Sequence, residues 1–133
     1  MRIFLDSSAI IEFLRNNGKV VEAIGRADEF YTSSLCAYEV LLGEKYMEEK
    51  GVKSRYKDTL AFFERMATVP FSHSDALFAA GLMAKLTLKG KKVDEIDVLI
   101  AAQAIAHQAQ VLTMDSRHFK VIKDETGLSL QTL

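Results

Sequence analysis

The sequence predicts an α/β fold, a three-layer α/β/α sandwich around a short, mostly parallel central sheet. Short apolar or β-branched runs alternate along the chain with longer stretches of helical periodicity, and strands that alternate with helices pair in parallel through right-handed crossovers. The helical stretches outweigh the strand-like runs, so about four or five short strands are expected between the helical layers. The first run, Ile3-Phe4-Leu5, is apolar at every position, as suits a strand covered on both faces.

Asp6 closes that strand at its carboxyl end, the edge of an open α/β sheet where ligands bind. Ser7 or Ser8 is suited to cap a helix that carries Ile10, Ile11, Phe13 and Leu14, which leaves Asp6 free for another role. Asn16-Asn17-Gly18 reads as a helix end and turn, and Lys19 to Arg26 as a short helix with Val20, Val21 and Ile24 on one side. Glu29 to Thr32 is strand-like, rich in aromatic and β-branched residues. Ser33 or Ser34 then caps a long helix to about Lys50, with Gly51 as its stop. Val52, Tyr56, Leu60, Phe63 and Ala67 fall at helical spacing, which predicts a helix over Val52 to Met66. Thr68 to Phe71 is a short extended piece that Pro70 confines to an edge or a strand start. Ser72 or Ser74 caps the next helix, Asp75 to about Leu88. A basic loop, Lys89-Gly90-Lys91-Lys92, leads into a helix from Asp94 to Gln108, and Val111-Leu112-Thr113 is a further strand with Asp115 just beyond it.

Bulk properties narrow the function classes. A chain of 133 residues with 49% hydrophobic content and a mean hydropathy of +0.05 fits one well-packed domain, with no repeat, linker or low-complexity tract. The net charge of -1 gives no global attraction to nucleic acid, so any such role must rest on local basic patches. The single Cys36 excludes an internal disulfide and a cysteine-built metal cage; it is expected as a small buried residue. Asp6 and Glu12 interrupt the early apolar run, so it does not read as a secretory signal. Val98 to Ala106, broken by Gln103, is too short to span a bilayer. A cytoplasmic location is expected.

The acids carry the chemistry. Asp6 and Asp115 follow two strand-like runs and, if those strands are adjacent and parallel, open onto one crevice. Glu39 lies early in the long third helix among Leu35, Cys36, Val40, Leu41 and Leu42. That apolar company argues for a buried, functional carboxylate against a mere helix-dipole role. Asp97 heads a helix that is apolar nearly all round, with small Ala101 one turn on; Asp94, on the same face, is read as the N-cap or a supporting partner. Four carboxylates gathered at one sheet end repel one another without cations. An oxygen-only donor set without His or Cys favours hard ions such as Mg²⁺ or Mn²⁺, and such sites serve phosphoryl chemistry.

Four motifs in order resemble one family over almost the whole chain: Asp6-Ser7-Ser8 after the first strand, Ser34…Glu39, Asp97-Val98-Leu99-Ile100-Ala101-Ala102-Gln103-Ala104, and Leu112-Thr113-Met114-Asp115-Ser116-Arg117-His118-Phe119. Together they resemble the PIN-domain nucleases, above all the VapC-type toxins of toxin–antitoxin pairs. The resemblance implies a single PIN-like nuclease domain over residues 1–133 and a Mg²⁺- or Mn²⁺-dependent endoribonuclease. Asp6, Glu39, Asp97 and Asp115 would be its catalytic and metal-binding acids, with Ser8 and Thr113 as supporting hydroxyls. It further implies cleavage of RNA to 5′-phosphate and 3′-hydroxyl ends, a homodimer, and a small antitoxin whose tail enters the acidic groove. An amide often stands at the fourth position in this family, which makes Asp115 the most replaceable of the acids.

The remaining features are plainer. Lys89, Lys91 and Lys92 before the Asp97 helix, and Arg117, Lys120 and Lys123 after Asp115, read either as solvated surface or as grips for an RNA backbone. Phe119 reads as a core anchor and His118 as a local hydrogen bonder. His73 and His107 pair with no nucleophile, which speaks against a hydrolase triad. Glu12 and Arg15 suit an exposed ion pair. A phosphoacceptor receiver would need paired acids after the first strand and a lysine after a late strand, and this chain has neither. A PIN fold kept only for binding is the other alternative, and a full set of acids argues against it.

Overall fold

The computed structural model describes residues 1–133. Twelve elements follow in order: β1 (Arg2–Leu5), α1 (Ser7–Leu14), α2 (Gly18–Gly25), β2 (Glu29–Ser33), α3 (Ser34–Glu49), α4 (Tyr56–Arg65), β3 (Thr68–Val69), α5 (His73–Leu88), α6 (Glu95–Ala106), β4 (Gln110–Thr113), α7 (Arg117–Thr126) and β5 (Leu130–Thr132). The five strands form one sheet in the order β3-β2-β1-β4-β5, and every pairing is parallel. The chain moves outward from β1 through β2 to β3, then returns to place β4 on the other side of β1. Right-handed crossovers therefore put α1–α4 on one face and α5–α7 on the other. Packing within each group, α1 with α2 and α3, α3 with α4, and α6 with both α5 and α7, agrees with that division. The result is the three-layer α/β/α sandwich.

β1 is central because its residues tolerate nothing else. Ile3, Phe4 and Leu5 are fully buried, and a strand with no polar side chain to expose is stable only between two layers. Beside it, Val111 and Leu112 of β4 are equally buried, as are Val98, Ala101 and Ala104 of α6 and Phe119 and Ile122 of α7. Cys36 lies in the same core. No helix is long and apolar enough to cross a membrane.

Several local expectations are corrected. Helix α1 is capped by Asp6, whose carboxylate accepts from the Ala9 N–H at 2.9 Å; neither Ser7 nor Ser8 is the cap, because both are already inside the helix. The predicted helix over Val52 to Met66 begins only at Tyr56. Gly51 takes a left-handed φ of 76° that ends α3. Ser54 Oγ then donates to the Glu44 carbonyl at 2.7 Å, and Arg55 N–H donates to Glu44 Oε2 at 2.7 Å. These bonds to α3 hold residues 52–55 as a bridge and leave Val52 exposed. Two elements at the carboxyl end, α7 and β5, were not anticipated. α7 keeps Phe119 and Ile122 inward, and Gly127 at φ 72° stops it. The turn after α1 uses Asn16 at φ 63°, and Asn17 caps α2.

Because Phe4 is fully buried at the middle of the central strand, Phe4→Ala should lower unfolding free energy by about 3–5 kcal/mol, whereas Val21→Ala on the half-exposed face of α2 should change it by less than about 1 kcal/mol. Urea unfolding followed by circular dichroism measures both, and comparable losses for the two variants would contradict this packing.

Candidate active site

The reversal of strand order falls between β1 and β4, so the crevice of the sheet opens above their carboxyl ends. Asp6 leaves β1 there, still bonded to the sheet through its N–H to the Leu112 carbonyl at 3.2 Å. Its side chain is almost wholly buried and meets three donors: Ala9 N–H and Ser8 Oγ–H (2.8 Å) on Oδ1, and the Thr113 hydroxyl on Oδ2. Ser8 Oγ in turn accepts from Met114 N–H at 3.0 Å, and Thr113 Oγ1 accepts from Asp115 N–H at 3.0 Å. One hydroxyl network thus fixes Asp6, the end of β4 and the backbone of Asp115 together. Burial pushes the Asp6 carboxyl above its usual range against the opposing pull of these three donors, and the Asp115 charge adds to the rise.

The other acids arrive from different elements. Asp97 stands in the first turn of α6, whose start Asp94 caps by accepting from Ile96 N–H at 2.8 Å. A helix N-terminus favours an anion, yet burial lifts the Asp97 carboxyl to about 7, and the charges of Asp94, Asp6, Glu39 and Asp115 reinforce the lift. Burial and the neighbouring charges together thus outweigh the helix dipole. Glu39, on the second turn of α3, corrects the expectation of a buried carboxylate: it is exposed at the crevice mouth, because its apolar neighbours Cys36 and Val40 carry the buried side of the helix. Its Oε1 accepts from Ser7 Oγ–H at 2.7 Å. Asp115 is also exposed; its Oδ1 accepts from Arg117 N–H at 3.3 Å, and the Arg117 guanidinium lies 3.5 Å from Oδ2.

These side chains line one crevice of about 210 Å³, with Ile100 as its apolar wall. Asp6, Glu39, Asp97 and Asp115 all border it, joined by Ser8, while Thr113 supports it from below through Asp6. Arg117 borders it too; Lys89, Lys91, Lys92 and Lys120 do not. Lys89 is engaged elsewhere, donating to both carboxylate oxygens of Glu125 at 2.8 Å. Ser7 and His118 escaped the sequence reading as crevice residues, and Asp94 was read there as the cap or a supporting partner. Asp94 borders the crevice as well as capping α6, Ser7 borders it and holds Glu39, and His118 borders it beside buried Phe119. Adjacency to Asp97, to Asp6 and to Asp115 was the available signal for each.

The donor set fits a hard cation. Every carboxylate and hydroxyl offers oxygen, no cysteine lines the crevice, and Arg117 on Asp115 is the one cationic side chain paired with any of these acids. No three acidic, His or Cys side chains are gathered closely enough to hold an ion among themselves. That spacing suits Mg²⁺ or Mn²⁺, which keep several waters and take one or two carboxylates.

Residues 3–125 match the family described as PIN domain. The chain belongs to the PIN domain family. Among its relatives, Ribonuclease VapC19 of Mycobacterium tuberculosis is 26% identical over 124 residues, covering 90% of this chain and 94% of its own. Ribonuclease VapC of Rickettsia bellii is 25% identical over 126 residues, covering 93% and 92%. A crystal structure of VapBC2 from Rickettsia felis, bound to a DNA fragment from its promoter, superposes with a TM-score of 0.84 at 22% identity over 100% of this chain and 99% of the matched one. The PIN assignment from sequence motifs and the three-layer fold both agree with these matches.

The raised Asp97 carboxyl gives a signed pH prediction. Its folded pKa of about 7 exceeds the ordinary 3.8, so its contribution to stability is full below about pH 4 and is lost as pH rises through 7. In EDTA, Asp97→Asn should therefore melt higher than the parent at pH 8, with a smaller advantage at pH 5. Asp6→Asn is a poorer probe, because an amide puts an N–H₂ in place of one of two carboxylate oxygens that both accept from protein donors. Thermal melts at both pH values read the difference, and an Asp97→Asn gain that is independent of pH would refute the crowding of charge around Asp97.

Proposed function

We propose that the protein is a metal-dependent endoribonuclease of the VapC type, the toxin of a toxin–antitoxin pair. One observation carries the reading: Asp6, Glu39, Asp97 and Asp115 converge from β1, α3, α6 and the β4–α7 turn on one crevice at the switch point of the sheet. The ribonuclease names of the relatives from M. tuberculosis and R. bellii support the choice of RNA. The reaction is hydrolysis of a phosphodiester, in which water adds to phosphorus and the 3′ oxygen leaves, giving 5′-phosphate and 3′-hydroxyl ends.

Asp6 and Asp97, the more buried acids, hold Mg²⁺ or Mn²⁺ in this reading, with Glu39 and Asp115 completing the acidic rim. The ion, when bound, lowers the pKa of a coordinated water and offsets the charge of the scissile phosphate. The chain's own residues set the geometry. Ser8 and Thr113 fix both oxygens of Asp6, so one carboxylate is already oriented before any ligand enters. Burial and the surrounding acids hold the Asp97 carboxyl up near 7, and positive charge in the crevice would draw it back down. Arg117 is mostly exposed beside Asp115 and is placed to contact an RNA phosphate. Lys91, Lys92 and Lys120 are more distant backbone contacts, and Lys89 takes part only by leaving Glu125.

The partners in this reading are RNA, a small antitoxin and a second copy of the chain. The R. felis structure contains VapBC2 on promoter DNA, which supports an antitoxin. The tail of such a protein meets an acidic crevice, so basic side chains suit it. Leu77 and Leu88 on α5 are 64% and 89% exposed, and a helix apolar on its outer face supports a homodimer.

Purified protein should cut RNA with Mg²⁺ or Mn²⁺ and stop in EDTA. Asp6→Asn, Glu39→Gln and Asp97→Asn should each lower the rate by about a hundredfold or more, since loss of even an outer-shell partner costs about 10- to 100-fold, and Asp115→Asn should be milder. Gel assays of product formation decide it. Equal cutting in EDTA, or full activity in Asp97→Asn, would overturn the proposal; metal binding without any cleavage would identify a binding module in its place.

A further inference from the structure

We infer that Ser7 is a positioning residue, whose hydroxyl holds the Glu39 carboxylate where a divalent cation entering the crevice requires it. The inference rests on the metal-dependent reading of the site. Ser7 Oγ donates to Glu39 Oε1 at 2.7 Å, joining the first turn of α1 to the second turn of α3 across 32 positions of sequence. Three of the other crevice acids are anchored by backbone. Asp6 accepts from Ala9 N–H, Asp94 from Ile96 N–H and Asp115 from Arg117 N–H, while half-buried Asp97 stands on a short side chain in the first turn of α6. Glu39 has the longest side chain, is exposed, and has no ion-pair partner. A free glutamate loses substantial rotamer freedom when a ligand fixes it, so a preformed tether lowers the cost of binding.

Ser7 is not required for the fold in the way its neighbours are. Asp6, not Ser7, caps α1, and Ser8 carries the links to Asp6, Thr113 and Met114. Adjacent helical positions point to different sides, so the two serines divide the site: Ser8 serves the β4 side and Ser7 the α3 side. The hydroxyl of Ser7 lies in the crevice with its one proton on Glu39.

Mn²⁺ titration of the full chain without RNA, followed by the loss of the free-ion electron paramagnetic resonance signal, tests this. Ser7→Ala should weaken Mn²⁺ binding by about tenfold, Ser7→Thr should restore it, and Ser7→Ala should add nothing in a Glu39→Ala background. Cleavage should show the same split: a higher Mn²⁺ requirement with most of kcat regained at saturating metal. Equal binding by parent and Ser7→Ala overturns this inference alone. So does a tenfold loss that persists in the Glu39→Ala background, or one that Ser7→Thr fails to rescue. A parent that binds no Mn²⁺ removes the metal-dependent reading itself.

Discussion

The site and the sheet meet in the carboxylate of Asp6. It is bonded by a backbone amide of α1, a hydroxyl of α1 and a hydroxyl at the end of β4. Each bond answers a separate structural need. Ala9 N–H is one of the unpaired donors at a helix start, Thr113 ends a strand whose neighbour is β1, and Ser8 carries the link onward to Met114 N–H. A buried carboxylate without such donors would cost several kcal/mol or remain protonated. The same three bonds that make its burial tolerable hold it rigid, so structural capping and functional orientation are one arrangement here.

Topology supplies the rest. Because the sheet runs β3-β2-β1-β4-β5, the loops after β1 and β4 splay apart and leave a gap between the helical layers. Acids from α3 on one face and α6 on the other reach into that gap. Their closeness works against the folded state: Asp97 is lifted to about 7 by burial and by four neighbouring acids, and only Asp115 has a basic partner. Local rules of helix capping and burial are satisfied nearly everywhere else, as the Ser72–Asp75 capping box of α5 illustrates. Unfavourable electrostatics concentrated at one crevice mark it as the candidate functional site.

The acids also differ in how firmly they are held. Asp6 and Asp94 are fixed by backbone donors within their own helices, so their placement is built into the local fold. Glu39 depends on a hydroxyl from another element, and Asp115 on a turn that an exposed arginine overlies. Asp6 sits deep in the crevice, whereas Asp94, Glu39 and Asp115 are exposed at its rim.

The strongly patterned parts of the chain were legible from sequence. Ile3-Phe4-Leu5 could only be a covered strand, the Asp97 helix could only be buried, and the order of the four acid motifs identified the PIN family. Sequence also marked Asp94 as a cap. It misplaced the start of α4, because the periodicity that includes Val52 says nothing of the Glu44 bonds that hold residues 52–55 out of the helix. It gave Glu39 a buried setting, because apolar neighbours along a chain lie on different sides of a helix. It also freed Asp6 from capping, because three adjacent residues can each cap and only backbone direction selects among them. The sequence by itself determined which elements form and which acids lie at their ends, since periodicity and side-chain chemistry are local. Only the tertiary structure decided that β4 lies beside β1, that Ser7 meets Glu39 and that Lys89 is spent on Glu125, because these pairings depend on distances across the fold that no local pattern encodes.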